Sequence, residues 1–285
     1  MNISFEEQLQ QLIVFALQED LGDGDHTTLS CIASDAVGKA VLKVKQEGIL
    51  AGLSVAERIF KFQEPGVQIK SFFRDGDQVK SGDIAFEMKA RVHTILQCER
   101  LVLNTMQRMS GIATLTRSYV DLVSVYPVKL LDTRKTTPGF RLLEKEAVRI
   151  GGGHNHRFAL YDQILLKDNH IDYCGGIDHA LNRAYEYVQK VKPGLKIEIE
   201  TRSLKEVEQV LKNGKADRIM MDNFTPELLH QAVVVIDKRM ETEASGGIHK
   251  ENILAFAQTG VDYLSIGALI HQATSVDLSL KASFQ

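Results

Sequence analysis

The sequence predicts an α/β protein, with an N-terminal α+β domain built on an antiparallel sheet and then an incomplete α/β barrel of about six parallel strands. Three observations carry this reading. Short alternating runs crowd Gly38–Lys89, strand-like and helix-like segments alternate from Val128 onward, and polar residues gather just past each later strand. At 285 residues the chain exceeds the ~250 residues at which single cores usually stop growing, so two packed units are expected. The expected boundaries are residues 1–110, joined by 270–285, for the first domain and 111–269 for the barrel.

The opening helix is marked by the capping-box spacing of Ser4 and Glu7, with Phe5, Leu9, Leu12 and Ala16 on one face. The alternating runs Ala40, Leu42, Val44, then Val67, Ile69, then Ile84, Phe86 predict sheet strands, with a turn at Arg74-Asp75-Gly76-Asp77 and a covering helix at Leu53–Phe62. Two helices are expected next, at Thr94–Met109 and Ile112–Ser124. Strand-like runs then recur at Val128–Leu131, Ile164–Leu166, Lys196–Ile199, Arg218–Met221, Met240–Thr242 and Tyr263–Ile266. Between them lie helix-like segments at Arg141–Ile150, Asp178–Val191, Leu204–Lys212, Pro226–Asp237 and Lys250–Gln258. This alternation implies parallel strands, since a parallel connection needs a long crossover.

The ends of these runs favour a barrel over an open sheet. Asp132-Thr133-Arg134-Lys135, Lys167-Asp168-Asn169, Glu200-Thr201, Asp222-Asn223, Ser245-Gly246-Gly247 and Gly267 all follow strands. In a barrel those ends ring one mouth, whereas an open sheet recruits only those at its switch point.

Composition excludes several classes. With 44% hydrophobic and 25% charged residues the chain is an ordinary globular protein, and its net charge of -3 argues against a broad nucleic-acid footprint. Cys31, Cys98 and Cys174 are odd in number and widely spaced, which suits a reducing, cytoplasmic setting rather than a disulfide framework or zinc site. The acidic, amphipathic N-terminal stretch does not resemble a signal peptide, and no apolar run reaches the ~20 residues that span a bilayer.

Three groups of residues carry chemistry. The first is cationic: Arg134, Lys135, Arg157 and Lys167 stand at strand ends or in the turn Gly151-Gly152-Gly153-His154-Asn155-His156-Arg157, where guanidinium forks suit carboxylates and phosphates. Arg141, Lys145 and Arg149 alternate with Glu144 and Glu146 at helical spacing and read as a solvated face with ion pairs. His154 and His156 lack the i, i+4 spacing of a helical zinc pair. The second group is acidic. Glu198 and Glu200 share one strand face, and Glu200 with Asp222 marks where positive charge develops, or where they meet the cationic set as salt bridges. The third is Ser245-Gly246-Gly247 leading to a helix, with Gly267 one strand later, a phosphate-type turn.

At these residues the chain resembles the quinolinate phosphoribosyltransferase family over nearly its whole length. The likeness rests on Ala16-Leu17-Gln18-Glu19-Asp20-Leu21-Gly22-Asp23-Gly24-Asp25, on Glu99-Arg100 with Leu103-Asn104 and Ser110-Gly111, and on Asp132-Thr133-Arg134-Lys135-Thr136-Thr137-Pro138-Gly139. It extends through Asn155-His156-Arg157, Lys167-Asp168-Asn169-His170, Asp222-Asn223-Phe224 and Glu243-Ala244-Ser245-Gly246-Gly247-Ile248. The resemblance implies transfer of a phosphoribosyl group from phosphoribosyl pyrophosphate to quinolinate with loss of carbon dioxide, in a Mg²⁺-dependent homodimer whose further assembly into hexamers the sequence leaves open. By the same resemblance, Arg134, His156, Arg157 and Lys167 would grip quinolinate, Arg100 would reach the partner's site, and Lys135 and Lys167 would face the phosphates. Ser245, Gly246, Gly247 and Gly267 would hold the 5-phosphate, and Glu200 and Asp222 would face the sugar cation and touch Mg²⁺. Arg202, next to Glu200-Thr201, departs from the pattern and raises the question of where its charge goes. A molybdenum-transport-associated sibling and a non-catalytic anion-binding barrel are the alternatives.

Overall fold

The computed structural model describes residues 4–283. In chain order the elements are α1 (Phe5–Leu21), α2 (His26–Cys31), β1 (Val37–Val44), β2 (Gly48–Ile49), α3 (Leu53–Gln63), β3 (Gln68–Ser71), β4 (Gln78–Val79), β5 (Ile84–Arg91) and α4 (Val92–Leu122). Then follow β6 (Lys129–Leu131), α5 (Arg141–Ile150), β7 (Ile164–Leu166), α6 (Asp168–Cys174), α7 (Ile177–Lys190), β8 (Ile197–Thr201) and α8 (Leu204–Asn213). The chain closes with β9 (Arg218–Asp222), α9 (Pro226–Ile236), β10 (Glu241–Ser245), α10 (Ile253–Ala257), β11 (Tyr263–Ser265), α11 (Ala268–His271) and β12 (Leu278–Ala282). Two compact units form: one runs to Arg117 and adds Thr136–Gly152 and the chain from Leu269, and the other holds Ser118–Lys135 and Gly153–Ala268. Among the described residues no helix is long and apolar enough to cross a membrane.

The first unit carries an antiparallel sheet in the order β12-β1-β5-β3. The capping box of α1 forms as the sequence predicts, with Glu7 N donating to Ser4 Oγ at 3.2 Å and Ser4 N to Glu7 Oε2 at 2.8 Å. Its buried stripe is Leu9, Ile13 and Leu17, and the expected Phe5 is exposed at the helix start. On the sheet, Phe86 meets Phe60 of α3 edge to face with ring centroids 6.3 Å apart.

Two expectations are corrected in this unit. The two helices foreseen at Thr94–Met109 and Ile112–Ser124 are one, the 31-residue α4. Glycine is a weak helix former, yet tertiary fit overrides it here, because a Cβ on Gly111 would collide with the carbonyl of Thr274. Ser110 likewise binds across, its Oγ taking Ala51 N at 2.9 Å. The second correction concerns α5, whose charges are not a solvated face: Glu144 and Lys145 are buried, and only Arg149 pairs with Glu146 at the surface. Glu144 accepts from Arg108 Nε at 2.9 Å and Nη2 at 2.8 Å and from Thr137 N at 2.8 Å. Alternating charge has the same spacing in either case, and only the packing partner separates the two.

The second unit is a six-stranded parallel sheet in the order β6-β11-β10-β9-β8-β7. Since β6 and β7 do not pair, it is the incomplete barrel that the sequence predicts. Alternation and register sort its side chains into two faces. Leu130, Leu264, Ala244, Ile219 and Ile199 fall on the face away from the one that carries Leu131, Ser265, Glu243, Met220 and Glu198. Helix α8 lies beside both α7 and α9. The expected strand at Met240–Thr242 is instead Glu241–Ser245, which puts Glu243 in mid-strand on the polar face.

Gly111→Ala should lower the stability of the folded chain by about 1–3 kcal/mol, the usual cost of forcing atoms into a filled site. Thermal or urea unfolding would read this directly.

Candidate active site

At the carboxyl end of the parallel strands, Lys167 follows β7 and pairs with Glu200 of β8. Glu200 is only 9% exposed, so this partner offsets much of the cost of burying its charge. The parallel register sets Asp222, the last residue of β9, beside Ser245, and Asn223 Nδ2 donates to Asp222 at 2.8 Å. Arg202 turns away from this group, pairing with Asp172 at 3.5 Å and Glu206 at 3.3 Å.

The glycine turn is built around Asn223. This residue has φ 57° and donates its N–H to Ser245 O at 2.8 Å, while a Cβ on Gly246, at φ 93°, would run into its side chain. Only glycine fits there. The helix expected to start at Lys250 begins at Ile253 and has five residues, so the turn does not open directly onto a helix. Asn252 braces it instead, donating to Gly247 O at 2.8 Å and accepting from His249 N at 2.8 Å. Gly267 follows β11, half-buried, just ahead of α11.

The segment from His154 to Arg157 is anchored by β6. His154 N donates to Leu130 O at 2.8 Å, Asp132 N to His154 O at 3.1 Å, and the buried Asp132 carboxylate accepts from His156 N at 2.9 Å. Arg157 is thereby held close to Arg134: burial and then the Arg134 charge depress its pKa. Mutual repulsion of this kind is relieved by an anion with two negative groups. Lys135 is exposed on the strand-end segment. Arg100 lies on α4 in the other compact unit, exposed, 3.5 Å from Glu99.

Beneath Arg157 is a group the sequence reading missed. His156, its side chain 6% exposed, points Nε2 at two fully buried carboxylates, 3.1 Å from Glu198 Oε2 and 3.4 Å from Glu243 Oε1. Arg218 Nη1 donates to Glu243 at 2.9 Å, Ser265 Oγ donates to it as well, and Gln163 Nε2 donates to Glu198 at 2.7 Å. Burial works against a charged imidazole, but the hydrogen bonds and charges of Glu198 and Glu243 outweigh it and push His156 up to about 9. The Arg157 N–H, donating to Nδ1 at 2.7 Å, opposes that rise by favouring the neutral ring with its proton on Nε2. Burial likewise lifts Glu198 to about 7, against the pull of His156. Glu243 moves the other way, since its hydrogen bonds to His156 and Ser265 overcome its burial. His156, Glu198 and Glu243 have the composition of metal ligands; Arg218 and Ser265 donate to Glu243 and Gln163 donates to Glu198 Oε2, while Glu198 Oε1 has no hydrogen-bond partner among the described residues. The ring of His156 is buried, with Nδ1 accepting from Arg157 N and Nε2 in ion-pair contact with Glu198 and Glu243. The two-residue spacing of Glu198 and Glu200 was a signal for this layer, and the misplaced end of β10 hid Glu243.

Comparison with known proteins agrees with this geometry. Residues 25–110 match the description "Quinolinate phosphoribosyl transferase, N-terminal domain" and residues 112–281 its C-terminal domain. The chain belongs to the quinolinate phosphoribosyl transferase family. A Nicotiana tabacum protein named quinolinate phosphoribosyltransferase, decarboxylating, 1b is 42% identical, covering 96% of this chain and 82% of its own. A Bacillus subtilis protein named probable nicotinate-nucleotide pyrophosphorylase, carboxylating, is 40% identical, covering 96% and 93%. The crystal structure of NadC from Streptococcus pyogenes is 38% identical with a TM-score of 0.90, covering 100% of both chains.

Proposed function

We infer that this family member transfers the 5-phosphoribosyl group of phosphoribosyl pyrophosphate to quinolinate with decarboxylation. The products are nicotinate mononucleotide, pyrophosphate and carbon dioxide, a step of de novo NAD biosynthesis. It is a pentosyltransferase, a carboxylating nicotinate-nucleotide diphosphorylase. The observation that carries this reading is the Lys167–Glu200 ion pair at the carboxyl end of the parallel strands, in a chain whose relatives carry this activity in their names. Those names also favour it over the molybdenum-associated and non-catalytic alternatives.

In this reading Arg134, Arg157 and Lys167 receive the two carboxylates, with His156 supporting Arg157 from behind. Lys135 and Lys167 face the phosphates, and Ser245, Gly246, Gly247 and Gly267 cradle the 5-phosphate. The ring nitrogen attacks C1 of the ribose as the C1–oxygen bond breaks, its electron pair leaving on pyrophosphate. Glu200 and Asp222 give the negative field that the sugar cation needs. The quaternised ring then accepts the electron pair of the C2–carboxylate bond as carbon dioxide departs, and C2 takes a proton from solvent. Positioning, more than acid or base chemistry, does the work.

Mg²⁺ is the metal this reaction implies. Glu200 and Asp222 offer hard carboxylate oxygens, the donors that Mg²⁺ takes together with water and substrate phosphates, so they fit it. When bound, the ion neutralises charge on the pyrophosphate. We place the reaction in the cytoplasm, which the free Cys31, Cys98 and Cys174 favour. The working species is a homodimer in which Arg100 completes the site of the partner protomer.

Purified protein given Mg²⁺, quinolinate and phosphoribosyl pyrophosphate should release one carbon dioxide per nicotinate mononucleotide, and excess chelator should stop it. Turnover of nicotinate without gas release would defeat the substrate assignment. Arg100→Ala and Lys167→Ala should each be inactive alone, yet regain partial activity when mixed and allowed to exchange protomers. No recovery would count against a shared site.

A further inference from the structure

A buried carboxylate one layer below the proposed quinolinate clamp ties down both ends of a single arginine. Glu198 is fully buried on β8, and the same atom, Oε2, meets two partners: Gln163 Nε2 at 2.7 Å and His156 Nε2 at 3.1 Å. Each partner leads to Arg157. Through His156 the path runs across the ring to Nδ1, which accepts the Arg157 backbone N–H at 2.7 Å. Through Gln163 it runs to the backbone carbonyl, which accepts from Arg157 Nη1 at 3.2 Å. Three hydrogen bonds and one buried His156–Glu198 ion-pair contact thus connect the backbone and the guanidinium of one residue to a single oxygen.

Such a tether has a physical use. A flexible arginine loses rotamer freedom when it grips a ligand, and that loss weakens binding unless the side chain is already fixed. The Arg134 charge also acts against the charge of Arg157, and a tether resists that repulsion. Carboxylates of this depth are costly, and stability alone is served as well by apolar residues of similar size.

We propose that Glu198 is a positioning residue that presets Arg157 for a dicarboxylate, acting through His156 and Gln163 without touching substrate. This rests on the quinolinate reading above and adds to it the reason that Arg157 sits ready beside a like charge. The role lies in the geometry of one acceptor oxygen. Glutamine keeps an oxygen there and alanine does not.

The test compares Glu198→Ala, Glu198→Gln and Gln163→Leu with the unaltered chain, measuring KM for quinolinate and for phosphoribosyl pyrophosphate, and calorimetric binding of phthalate, an unreactive diacid. Glu198→Ala and Gln163→Leu should each raise the quinolinate KM and weaken phthalate by about tenfold, the value of a hydrogen bond to a charged group. The KM for phosphoribosyl pyrophosphate should stay within about twofold in both. Glu198→Gln should recover most of the loss. Equal loss in the Gln and Ala variants, parallel loss for both substrates, or unchanged quinolinate KM in Gln163→Leu would each overturn the proposal. Should Glu198→Ala not fold, Gln163→Leu decides alone. If the unaltered chain binds phthalate but turns over no quinolinate, the assigned reaction fails while the phthalate measurements still judge the tether.

Discussion

Burying negative charge in the middle of a parallel sheet is the constraint on which this unit depends. Glu198, Glu200 and Glu243 occupy positions that most barrels fill with branched apolar side chains, and each carboxylate there needs a partner to be tolerated. His156, Arg218, Ser265, Gln163 and Lys167 provide those partners. The result is two tiers. The lower tier is closed on itself, and the upper one, where Lys167 and Glu200 meet, opens to solvent at the lysine, whose side chain is 46% exposed. A structural lower tier holding up a reactive upper one is a familiar solution to the problem of fixing charged groups without freezing them onto each other.

The first unit meets the same problem at Glu144. Four hydrogen bonds from Arg108 and Thr137 converge on one carboxylate at zero exposure, and Arg108 further binds the carbonyls of Ile270 and Ala273. A single charged pair therefore links α4, the loop before α5 and the chain after α11. Its net worth to stability is modest, but removing one member leaves the other buried and unpaired.

Much of this was legible in the residues. Period-two and period-3.6 patterns located α3, α5, α8 and α9 almost to the residue, because these elements bury one clean face. Strand ends carrying Lys167, Glu200 and Asp222 foretold where polar side chains gather, as the Lys167–Glu200 pair at the carboxyl end of the sheet shows. What stayed hidden depends on contacts distant in sequence. Gly111 reads as a helix break until Thr274 is seen against it, and Lys145 reads as solvated until its neighbours are known. Glu243 and His156 lie 87 residues apart, and no local spacing announces that they meet.

The bridge between Leu131 and His154 has an architectural consequence. An open sheet leaves a bare edge of N–H and C=O groups that invites pairing with another molecule, and this short contact shields part of the rim at β6. The peptide that does the shielding continues straight into His156 and Arg157. Edge protection and the proposed ligand grip are thus fastened to one stretch of backbone, and a change that loosens it would expose a sticky border at the moment it disturbs the proposed clamp.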